Sequence, residues 1–184
     1  MPGWQSGNVF GCRPNVRGFD SLPWLVTMQI FVLDRDPQTC ASYHCDKHVV
    51  KQILESAQLL CTAHWMTGGE APYKPTHKNH PCAKWVRESL DNYTWLLSLA
   101  NELCGEYFER YHKIHKTSNV IEWLLLHNPD IPENGMTPFV QAFPDEYKRD
   151  DPVRGYRTYY KHEKAYFAQW RYTPTPEWWD EGLL

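Results

Sequence analysis

His48 and Glu55 stand seven residues apart, with Lys51 between them. On an α-helix this spacing nearly eclipses an imidazole and a carboxylate across two turns. With the ammonium they make a compact acid/base set. A carboxylate near cations keeps its charge and can act as a base or stabilise a developing cation. The plain alternative is the solvated face of an amphipathic helix. A later loop carries His77, Lys78, Asn79 and His80, which can fold over the same stripe.

The other polar clusters point to weaker chemistry. His44/His48, His77/His80 and His112/His115 have metal-compatible spacing, but none has a convincing third ligand. HxxxH without the Glu of HExxH is a weak signal, so these read as ordinary polar histidines and no metal site is expected. There are two basic clusters. Arg110, Lys113 and Lys116 end a helix, where cations offset its dipole. Lys74, Lys78, Lys84 and Arg87 surround a loop rich in backbone donors and suit phosphate better. Toward the C-terminus, Arg154, Arg157, Lys161, Lys164 and Arg171 alternate with Tyr156, Tyr159, Tyr160, Tyr166, Phe167, Trp170 and Tyr172. Cations with rings fit a nucleic-acid surface, charge meeting phosphate and rings meeting unstacked bases. A helix with one aromatic core face explains the helical part equally well, but not the tail.

Helices must position these groups. Asp36-Pro37 is an N-cap followed by proline at the first helical position, which starts a helix over 37–44. The next helix spans about 46–65. At 100° steps, Val49, Val50, Ile53, Leu54, Ala57, Leu60 and Cys61 share an apolar arc. His48, Lys51, Gln52, Glu55, Gln58 and Thr62 oppose it, with Leu59 intruding. Residues 66–79 form a Gly/Pro-rich loop. Pro81 opens a helical stretch to about 112, with a possible break at Ser89–Asp91. Ser118 caps a helix from Val120 to His127, 128–148 is Pro-punctuated loop, and a last helix covers about 151–168. The tail, with Trp170, Trp178 and Trp179, is too rich in proline for helix and too aromatic for a free linker. The expected fold is therefore all-α, a single compact multi-helix domain over 28–184. Residues 1–27, rich in Gly and Pro, form an irregular leader, and Met28 followed by Gln29-Ile30-Phe31-Val32-Leu33 looks like a domain start and a candidate true start of the chain.

Bulk properties narrow the class. The 184 residues suit one core. Nine Trp, eleven Tyr and seven Phe exceed what that core needs, so some rings should line a site or surface. The formal net charge of −3 requires a nucleic-acid binder to gather its cations on one face. The six cysteines read as free thiols, since no CxxC pair and no secretory signal is evident. No apolar run reaches membrane-span length. The expectation is a cytoplasmic monomer without membrane contact.

Asp46-Lys47-His48 followed by Glu55 resembles the pyrimidine-dimer DNA glycosylase family of the phage endonuclease V type. That family carries Asp-x-His and, seven residues after the His, its catalytic Glu. Asn79-His80-Pro81 is similar to a motif in bacterial relatives, and the aromatic, basic C-terminus is more loosely similar to the family's DNA-contacting tail. The resemblance spans about 28–180. It implies an all-helical domain, no metal or organic cofactor, and damaged or modified duplex DNA as partner. It also implies an amine nucleophile that attacks the sugar C1′, forms an imine and cuts the strand by β-elimination. In the family this amine is the chain's own N-terminus, which assigns it to Met28. Glu55 would stabilise the sugar cation and shuttle protons, and His48 would orient groups or contact phosphate. Lys51, Lys74, His77, Lys78, His80, Lys84, Tyr160, Trp170 and Trp178 would meet DNA. The sequence departs where the family has arginine directly before the Glu and a cation three residues after it. Here stand Leu54 and Gln58, and Met28 is preceded by residues 1–27. Two other readings remain: an enzyme for a modified nucleobase or nucleotide, and a non-catalytic nucleic-acid-binding module.

Overall fold

The computed structural model describes residues 28–180. The leader 1–27, with Cys12, and the final residues 181–184 lie outside the described residues. Within them the chain forms seven α-helices, one 3-10 turn and no strand: α1 (Pro37–Tyr43), α2 (Asp46–Met66), α3 (Pro81–Val86), α4 (Leu90–Tyr111), α5 (Ser118–Leu126), α6 (Pro152–Lys164) and α7 (Glu177–Asp180). The all-α expectation holds.

Local chemistry explains most boundaries. Asp36 Oδ2 accepts from the Thr39 amide at 2.8 Å and Pro37 follows, which starts α1. Ser89 accepts from Asp91 and Asn92, which restarts the chain as α4 after the break that follows α3. Asp151 caps α6 ahead of Pro152. Three expectations shift. Ser118 lies inside α5 and Thr117 takes the cap position. α6 stops at Lys164, four residues early. The tail does hold a helical turn, Glu177–Asp180, because Pro176 precedes it rather than interrupting it.

α2 and α4 pack side by side as the centre, with α1 on α4, α3 against both, and α5 closing one end. Leu60, Leu96, Leu99 and Leu103 are fully buried between them. Truncating one such leucine to Ala costs ~2–5 kcal/mol. Residues 28–33 are buried one after another, an irregular thread through the core. Phe31 on that thread stacks with Tyr159, and Tyr159 stacks with Phe143, so aromatic rings join α6 to the bundle. Gly155 lets loop 141–143 lie close against α6, since a Cβ there would collide with the Gln141 amide oxygen.

The two-faced picture of α2 needs correction. Val50 and Leu54, expected in the core, are 39% and 41% exposed, and Leu59, the expected intruder, is fully buried. His48, Gln52, Glu55 and Thr62, expected on an open face, are buried. α2 is the central helix, covered on most sides; the stripe Lys47, Val50, Lys51 and Leu54 in its first half and Met66 at its end remain open.

Candidate active site

The first turn of any helix leaves amide donors unsatisfied. α2 has no side-chain cap at Cys45. The C-terminal part of the chain supplies the missing acceptors. The Cys45 amide donates to the Tyr160 hydroxyl at 3.1 Å, and the Asp46 amide donates to the Gln169 carbonyl at 2.9 Å. Asp46 anchors the same junction. Its carboxylate accepts from the Arg171 amide and Nε, and from buried Arg110, which also bonds Glu106 and the carbonyls of Ser42 and His44. Arg110 therefore belongs to the interior, not to a surface basic cluster. This clasp brings the end of α6 and the tail over the start of α2.

His48 sits beneath that cover. Its ring stacks on Phe31 at 4.6 Å and meets Tyr160 and Phe167 edge-on at 5.1 and 5.2 Å. Burial holds its pKa well below the usual imidazole value, and His44, Lys164 and Lys51 add to the effect. Burial thus favours the neutral ring over the imidazolium that a charged phosphate contact would use. Nδ1 lies 2.7 Å from the Tyr160 hydroxyl, which already accepts from the Cys45 amide. The arrangement that uses every proton has Tyr160 donating to Nδ1, which leaves the ring proton on Nε2.

Glu55, two turns further, is buried with a side chain 12% exposed. It accepts from Gln52 Nε2 at 2.6 Å and pairs with Lys51 Nζ at 2.9 Å. Its charge acts on the Cys82 thiol, whose pKa is pushed up to about 12, chiefly by burial and in part by Glu55. The same thiol meets the Ile30 backbone. The buried thread from Met28 passes along the His48 face of α2, where Phe31 stacks on His48.

Sequence reasoning placed Lys164 and Phe167 in the cationic, aromatic C-terminal stretch and Gln52 on the polar arc of α2, but it gave none of them, nor Phe31, a place beside His48 and Glu55. Lys164, half-buried at the end of α6, holds its Nζ 5.1 Å from the Tyr159 ring centre and 6.0 Å from that of Phe31. Burial lowers its pKa first, then the Lys51 cation; Glu163 and Glu55 oppose this. One signal was available: Lys164 stands one turn after Tyr160, on the same helix face.

The remaining expected DNA contacts divide. Lys51 belongs to the cluster. The loop of His77, Lys78 and His80 is tied to α2 by bonds between Thr62 and Thr76, two turns along the helix from Glu55. His77 and Lys78 are exposed there, while His80 caps α3 by accepting from the Cys82 amide. Lys84 is exposed on α3, and Lys74 lies over the Trp65 ring at 4.9 Å, at the far end of α2. Tyr160 and Trp178 are corrected to core positions, 0% and 6% exposed. They pack against each other and, through Trp178, against Tyr43, because the tail needs apolar anchors to stay docked. Trp170 donates from Nε1 to the Tyr43 carbonyl. The open tail rings are Tyr166 and Tyr172.

The histidine pairs are committed elsewhere. His44 Nδ1 lies 2.7 Å from the Cys40 carbonyl, His115 accepts from Thr117, and His112 is the left-handed cap of α4. Among the described residues, Cys40, Cys45, Cys61, Cys82 and Cys104 are unpaired. No helix among them is long and apolar enough to cross a membrane.

Comparison with known proteins agrees with this geometry at one level. No curated protein and no solved structure matches the chain. A family model described as pyrimidine dimer DNA glycosylase matches residues 28–119, half of the chain, from the buried thread through α4. The match contains His48, Lys51 and Glu55 and stops before α6. The chain therefore belongs to the pyrimidine dimer DNA glycosylase family, whose substrate is DNA.

Proposed function

We propose that the protein is a DNA glycosylase with AP-lyase activity on damaged or modified pyrimidine nucleotides, working through an amine nucleophile and Glu55. The observation that carries this reading is the setting of Glu55. A buried carboxylate faces Lys51, with Lys164 and neutral His48 nearby and the Met28–Ile30 thread alongside. A carboxylate so placed opposes the positive charge that develops on a sugar as its base departs, and it can take and return protons. The amine must be neutral to attack C1′. An α-amine, with a reference pKa of roughly 7.7–8.0 against about 10.4 for lysine, meets that condition near neutrality. In a chain that begins at Met28, this amine starts the buried thread. Lys47, Lys51, Lys84 and the His77–Lys78 loop supply cations for phosphate, and reaching a base within duplex DNA requires it to leave the stack.

Borohydride trapping tests the reading. A chain beginning at Met28, mixed with duplex DNA containing an abasic site, is expected to give a covalent adduct. Salt-sensitive DNA retention without adduct or cleavage would reduce the protein to a binding module. Activity confined to mononucleotides would move it to nucleotide metabolism.

A further inference from the structure

We propose that Lys164 supplies the attacking amine when Met28 is joined to the residues before it, an inference that rests on the amine-nucleophile reading above. In that chain the Met28 nitrogen is an amide, with its lone pair delocalised into a carbonyl, and another amine must act. Three lysines near the site are poorly placed. Lys51 is 62% exposed and its ammonium is engaged by Glu55. Lys47 is exposed on the open stripe with its Nζ over Phe167, and Lys78 is exposed on the loop two turns away. Lys164 differs from all three. It is half-buried, its Nζ rests against the Tyr159 and Phe31 rings, and no carboxylate of the described residues lies within ion-pair distance. Glu163 is occupied by the Tyr147 hydroxyl at 2.7 Å.

The fold explains how this amine reaches the site. Tyr160 is fixed to the start of α2 by its bonds to Cys45 and His48. Lys164, one helical turn later, is carried to the same place. Phe31 is the shared wall, stacked with His48 and with Tyr159. Removal from water, the largest influence, and the nearby Lys51 cation favour the neutral amine, the form with a free lone pair, and together they outweigh the opposing Glu163 and Glu55. Lys164 lies beyond the stretch matched by the family model, so the match assigns it nothing.

In the reaction, Nζ forms a bond to C1′ as the glycosidic C1′–N bond breaks. That electron pair leaves on the base, which takes a proton from water. Nζ passes one proton to Glu55. Glu55 returns it to O4′ as the C1′–O4′ bond opens, leaving a protonated imine. Glu55, again a carboxylate, takes the C2′ proton as the C3′–O bond breaks and the 3′ phosphate leaves with that electron pair. Water then adds to C1′ and the C1′–Nζ bond breaks, freeing the lysine and an unsaturated aldehyde.

Peptide mapping of the trapped adduct decides the matter. The full chain is treated with borohydride and a duplex bearing one abasic site, digested, and analysed by mass spectrometry. The expected mass shift falls on the peptide containing Lys164. Lys164→Arg keeps the charge over the rings but lacks an amine, so it is expected to lose the adduct and retain its melting temperature. An adduct on the Met1 amine or on Lys51 overturns the assignment while leaving the amine reading intact. So does an adduct given by the chain beginning at Met28 but not by the full chain. Absence of adduct and cleavage from both chains overturns both.

Discussion

The Tyr160 hydroxyl and His48 Nδ1 are 2.7 Å apart although 112 residues separate them in the chain. The bond is buried, and the same hydroxyl serves the Cys45 amide. Tyr160 is thus a positioning residue, since it caps α2 and sets which nitrogen of His48 carries the proton. Tyr160→Phe is expected to destabilise the fold by ~1–3 kcal/mol, because a buried donor and a buried acceptor lose their partner. It should also shift the two ring-nitrogen resonances of His48 toward a mixed tautomer. Denaturant titration and nitrogen NMR check these two effects separately.

Glu55→Gln keeps the side-chain shape and a hydrogen-bonding partner for Gln52 while removing the negative charge. Base release and strand cleavage should fall by on the order of 10²–10⁴. The melting temperature should change little, since the Lys51 partner is exposed and such a pair contributes ~0–1 kcal/mol. Unfolding of this variant would make Glu55 a structural residue.

Stability should fall as pH drops from neutrality toward 4. Burial lowers the pKa of His44 from 6.5 to about 4, helped by Arg110 and opposed by the bond to the Cys40 carbonyl. His48 is depressed as well, mainly by burial. Between the unfolded value and the folded value the unfolded chain binds more protons, so stability rises with pH across that window and is complete above about 6.5. His44 alone accounts for about 3 kcal/mol over the window. Thermal melts of the wild type and His44→Gln between pH 7 and pH 4 should show a shallower decline in the variant.

Leu54 is exposed beside Lys51 on the open stripe of α2. Leu54→Arg should leave stability within ~0.5 kcal/mol. It should tighten DNA binding at low salt and steepen the dependence of log K on log salt by ~0.9 for one added phosphate contact. An unchanged slope would place this stripe away from the DNA.

Most helix starts are written locally in the sequence. Asp36-Pro37, Ser89 and Asp151 act on amides within a few residues of themselves, and so α1, α4 and α6 begin where expected. The His48–Glu55 spacing is equally local, and the family resemblance is legible in it from the sequence alone. Which face of α2 would be open was not local. The Met28–Leu33 thread, α3, α4 and the tail cover it together, so an arc that reads as solvent-facing became the interior. The same holds for the rings, because a tyrosine that binds DNA and one that anchors a tail share the same side chain. Only the tertiary structure, by satisfying the bare amides of α2 with Tyr160 and Gln169, fixed Tyr160 in the core and brought Lys164 toward Glu55.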